Sequence, residues 1–85
     1  MRTTTVTLNR AADDLNNKHL TLTVERAGRS YWWTVSVNED GYPKHELGSG
    51  VDDLERMKSE VAGLADLMGF GRAHRAALTR TMQAA

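Results

Sequence analysis

Apolar and polar positions alternate through the first half of the chain and then change period. "TTTVTL" (3–8) sets Thr4, Val6 and Leu8 on one side and threonines on the other, the pattern of a half-buried strand. "HLTLTVER" (19–26) repeats it with Leu20, Leu22 and Val24, and "SYWWTVSV" (30–37) with Tyr31, Trp33, Val35 and Val37. A short fourth strand is predicted over 42–47, where Pro43 marks an edge. The polar "NRAADDLNNK" between the first two strands predicts a loop with at most one helical turn.

Parity fixes the faces. For Leu20, Leu22 and Val24 to share a core with Tyr31, Trp33, Val35 and Val37, even positions must pair with odd ones, so the hairpin loop has an even length. A loop of residues 27 and 28, or of 26–29 in the same register, sets Val24 opposite Tyr31, Leu22 opposite Trp33 and Thr23 opposite Trp32. The next hairpin requires odd parity, and "EDG" (39–41) offers a type I turn followed by a bulge, with Leu47 then opposite Trp33 and Gly48 beside Trp32.

From residue 52 the period becomes helical. Leu54, Met57, Val61, Leu64 and Met68 recur at spacings of three and four, predicting an amphipathic helix over about 52–68 that covers the Trp33 face. Asp52 with Glu55 resembles a capping box, and Gly69 is a stop. An alanine-rich second helix follows over about 72–83, anchored by Phe70, Leu78 and Met82. The predicted fold is α+β: one domain, 1–85, with an antiparallel meander of three or four strands, one long helix packed on one face and a second C-terminal helix.

Trp32 and Trp33 are adjacent in a strand, so they point to opposite faces and cannot share one core. Trp33 belongs with the apolar positions. Trp32 falls among Thr23, Thr34, Tyr42 and Lys44, and an uncovered indole is costly. Two readings stay open: the chain itself covers Trp32, with Gly48, threonine methyls or the 9–18 loop, or a partner does, as a second copy, another protein or a stacked nucleobase.

Composition narrows the classes. Eleven Lys plus Arg balance eleven Asp plus Glu, which removes the overall positive field of a protein that grips nucleic acid through phosphates. No cysteine is present, so there is no disulfide framework or thiolate metal site. No apolar run reaches the ~20 residues of a membrane span and no signal-peptide core is visible, so a cytoplasmic protein is expected.

Chemistry-bearing patterns are few. His19, His45 and His74 lack metal-motif spacing, and no cofactor or small-molecule substrate is implied. "LGSGV" (47–51) imitates a phosphate-cradling loop before a helix, but Asp52 and Asp53 complement the helix dipole and repel an anion. Ser49 has no base near it in sequence, so no catalytic residue is assigned. Charge is uneven, however: residues 52–68 hold two basic and five acidic groups, and 69–85 hold three basic and none acidic. Arg72, Arg75 and Arg80 either fold back on Asp53, Glu60 and Asp66 or face a partner.

The run from Leu20 to Met68, with its hairpin, a strand ending in "ELGSG" and an amphipathic helix, loosely resembles the three-strand-plus-helix modules of integrase arm-binding domains. That resemblance implies DNA reading by the exposed sheet face. Trp32 matches it; Lys44 is the one cation there, and Glu25 and Glu46 oppose phosphates. In size and style the chain also resembles accessory proteins of phages and mobile elements that block a host protein. The expectation is a non-enzymatic protein-interaction module using Trp32, Thr23, Thr34, Tyr42 and Lys44, the basic Arg72, Arg75 and Arg80, or both. A DNA- or RNA-binding regulator using the same surfaces is the alternative.

Overall fold

The structure is a computed structural model and describes residues 2–9, 18–39 and 44–85. Four strands, β1 (Arg2–Asn9), β2 (Lys18–Ala27), β3 (Ser30–Glu39) and β4 (His45–Asp52), form one antiparallel sheet in the order β1-β2-β3-β4. Two helices follow, α1 (Leu54–Leu67) and α2 (Arg72–Ala84). The chain is therefore an α+β meander with two helices, as its periodicity predicts. The predicted 9–18 loop, the 39–41 turn and Pro43 fall wholly or partly on residues 10–17 and 40–43, outside the described residues.

Leu20, Leu22, Val24, Tyr31, Trp33 and Val35 are buried on one face of the sheet. Packed against them, α1 contributes Met57, Val61 and Ala65, and the α2 region contributes Phe70, Leu78 and Met82. The first helix lies over β3 and β4, the second over β1 and β2, so both helices cover the same face. Leu54, Leu64 and Met68 are half-buried at the margin of this core.

Three details differ from expectation. The β2–β3 turn is Gly28-Arg29, with a positive φ of 64° at Gly28 alone, the pattern of a type II′ turn. Moving the turn centre by one residue shifts the register by two, so Val24 faces Trp33 and Glu25 faces Trp32, and the parity survives. The fourth strand runs over His45–Asp52 instead of 42–47, because the stretch read as a helix-leading loop is strand. Between Val35 and Ser36 the register slips, leaving Leu47 as an extra residue against the core. Gly50, not Leu47, then faces Trp33, and Val51, not Gly48, faces Trp32.

The helix ends are built by specific residues. Asp53, not Asp52, caps α1, accepting a 2.8 Å hydrogen bond from the Arg56 N–H. At the other end the Gly69 N–H donates to the Asp66 carbonyl and the Phe70 N–H to the Ala65 carbonyl, both at 3.0 Å. With φ +78° at Gly69, this is a Schellman motif that turns the chain and drops Phe70 into the core beside Ala65.

Candidate protein-binding face

With both helices on one side, the other side of the sheet is set by the strand residues of opposite parity. Two rows run across it. Thr3, Glu25, Trp32 and Val51 oppose one another in the first, and Thr5, Thr23, Thr34 and Ser49 in the second. Trp32 is 57% exposed and its cross-strand neighbour Val51 49%, whereas Trp33 is only 5% exposed. The adjacent tryptophans are divided between the two faces as the strand period requires.

Trp33 also explains why β4 is shaped as it is. Its indole lies against the two glycines of the edge strand: a Cβ at Gly50 would come 2.9 Å from Trp33 Nε1, and one at Gly48 3.7 Å from the ring and 2.9 Å from Leu64 Cδ1. The indole N–H donates to Asp52 Oδ2 at 2.9 Å. A rigid inner layer thus holds β3 and β4 together and sets Trp32 and Val51 side by side on the outer one.

The charges that the strands place on the outer face, Glu25 and Glu46, are acidic. Beside Trp32 the side chains shorten to Thr23, Thr34 and Ser49, leaving a shallow depression that Glu25, Val51 and the Gly50 backbone also line. Glu25 is half-buried and Glu46 exposed, while Lys44 is exposed just ahead of β4, which starts opposite Val37 and away from the Trp32 row. Among the described residues, neither the Trp32 indole N–H nor the Glu25 carboxylate has a hydrogen-bond or ion-pair partner.

Of the residues singled out in the sequence, Trp32, Thr23 and Thr34 are brought together on this face, and Tyr42 lies outside the described residues. Arg72, Arg75 and Arg80 are exposed on α2, in the helical layer behind the sheet, so the basic group and Trp32 belong to separate surfaces. Only Arg75 folds back as expected, its Nη1 lying 3.5 Å from Asp66 Oδ2. Arg72 and Arg80 have no ion-pair partner among the described residues. Glu60 pairs with Arg56 of its own helix instead, at 3.5 Å. Ser49 and Val51 are the residues that sequence reasoning did not gather into the site; Glu25, placed on this face by its parity, stands directly opposite Trp32. The signal was the shared parity of Gly48 and Gly50, two small residues spaced to lie under one large ring.

No described group of three or more His, Asp and Glu is arranged to hold a metal ion, and no described helix is long and apolar enough to cross a membrane. His45 is exposed at the start of β4. No family model, no curated protein and no solved structure matches the chain.

Proposed function

We propose that the chain is a small non-enzymatic module that binds another polypeptide through the outer sheet face centred on Trp32, the style of interaction by which accessory proteins of phages and mobile elements block a host protein. The exposure of Trp32 beside Val51 on an otherwise hydroxyl-rich face is the observation that supports it. A tryptophan 57% exposed leaves roughly 140 Å² in water, worth about 3.5 kcal/mol on burial before the costs of association. Tryptophans in such positions dominate binding energy when a partner desolvates them.

Nucleic acid is the second reading, favoured by one observation: Arg72 and Arg80 stand exposed and unpaired among the described residues on a helix with no acidic residue. Against it, Glu25 and Glu46 occupy the Trp32 face, and the arginines lie in the other layer. The two surfaces therefore cannot be summed into one phosphate-gripping patch.

Photo-crosslinking decides between them. A benzophenone side chain at Ser49 is expected to give discrete protein adducts that disappear with Trp32→Ala, while the same probe at Glu60 on α1 gives none. In a parallel salt titration on mixed-sequence DNA, no affinity is expected at moderate salt. Retention on DNA with a steep salt slope, abolished by Arg72→Ala and Arg80→Ala, overturns the protein-binding reading in favour of the second.

A further inference from the structure

We infer that the polypeptide fitted to this face is a second copy of the same chain, the two sheets stacking through Trp32 about a two-fold axis. This rests on the protein-binding reading and names its occupant. An isologous contact needs one surface that carries both a projection and the recess that receives it. The outer face has both: Trp32 projects, and the depression over Thr23, Thr34, Ser49 and Gly50 lies directly beside it.

Polar groups are matched in the same way. The Trp32 indole N–H is a donor only, and the carboxylate of Glu25, its cross-strand neighbour, is an acceptor only. Neither has a partner among the described residues, and they are not bonded to each other. When each Trp32 enters the depression of the other copy, its N–H meets the carboxylate at that depression's margin, so the donor left over in one copy meets the acceptor left over in the other.

The open part of the face suits a weak, reversible dimer. Thr3, Thr5, Trp32, Ser49 and Val51 are exposed in the two rows around Trp32, whereas farther along the strands Ser36 is buried and Thr21 is engaged within the chain. A contact centred on Trp32 is therefore smaller than the ~800 Å² per partner of a standard interface, in the range of transient association.

Sedimentation equilibrium from micromolar to millimolar chain concentration tests it. A monomer–dimer equilibrium is expected, and Trp32→Ala and Ser49→Arg should each raise the dissociation constant at least about tenfold, with the urea unfolding midpoint of the diluted monomer unchanged. Arg80→Ala, in the helical layer, should leave the equilibrium as it is. A chain that stays monomeric throughout, or a dimer that neither face variant weakens, overturns the inference. If the monomeric chain still gives Trp32-dependent crosslinks from Ser49 to a different protein, self-association alone is overturned; if those crosslinks are absent as well, the protein-binding reading fails with it.

Discussion

Trp33 Nε1 donates a 2.9 Å hydrogen bond to Asp52 Oδ2, tying the middle strand β3 to the last residue of the edge strand β4. Consecutive carboxylates take different work: Asp52 receives the indole N–H, and Asp53 receives the Arg56 N–H and starts α1. One dipeptide thus ends the sheet and begins the helix that covers it. Asp52→Ala is expected to cost about 1–2 kcal/mol in urea unfolding, as for a partly buried bond to a carboxylate. A double-mutant cycle with Trp33→Phe should show about 1 kcal/mol of coupling, and strict additivity would mean the bond contributes nothing.

The two edge-strand glycines should differ in tolerance. A Cβ at Gly48 meets the end of the flexible Leu64 side chain, which can swing aside, whereas one at Gly50 meets both Trp33 Nε1 and Asp52 Oδ2 at 2.9 Å. Gly50→Ala is expected to cost about 1–3 kcal/mol and Gly48→Ala less than about 1 kcal/mol. The reverse order in denaturant midpoints would contradict the placement of the indole.

Truncating the adjacent tryptophans should give opposite results. Trp33→Ala removes a buried ring and should cost about 3–5 kcal/mol. Trp32→Ala, at an exposed position, should change the stability of the dilute monomer by no more than about 0.5 kcal/mol. Equal losses would mean both rings pack within one chain.

Burial along α1 ranks its positions. Met57, Val61 and Ala65 are fully buried, and Leu64 sits at the margin. Val61→Asp leaves an unpaired charge in the core and should abolish the cooperative unfolding transition, while Leu64→Asp retains one at reduced stability. Native-like stability of the Val61 variant would show that this helix does not cover the sheet.

Much of the architecture is legible in the residue pattern because parity is robust. A turn centred on Gly28-Arg29 instead of Ala27-Gly28 moves every β2–β3 pair by two positions yet leaves Leu22, Val24 and Trp33 in the core. The fourth strand was not legible beyond Leu47. Its core-facing positions there are Gly48 and Gly50, which carry no apolar signal, and the extra residue Leu47 reverses the parity that His45 and Leu47 announce. Read as a loop, 48–51 conceals Ser49 and Val51, the contribution of β4 to the two rows around Trp32. The division between Trp32 and Trp33, by contrast, follows from the strand period alone.

The most direct test of the account is quenching of Trp32 fluorescence by acrylamide in a Trp33→Phe protein, measured across dilution. Trp32 is expected to be strongly quenched in the dilute monomer, consistent with its 57% exposure, and progressively protected as the chain is concentrated. Protection at every concentration would mean that its own chain covers it, and strong quenching at every concentration would mean that no second copy does; either result contradicts the account.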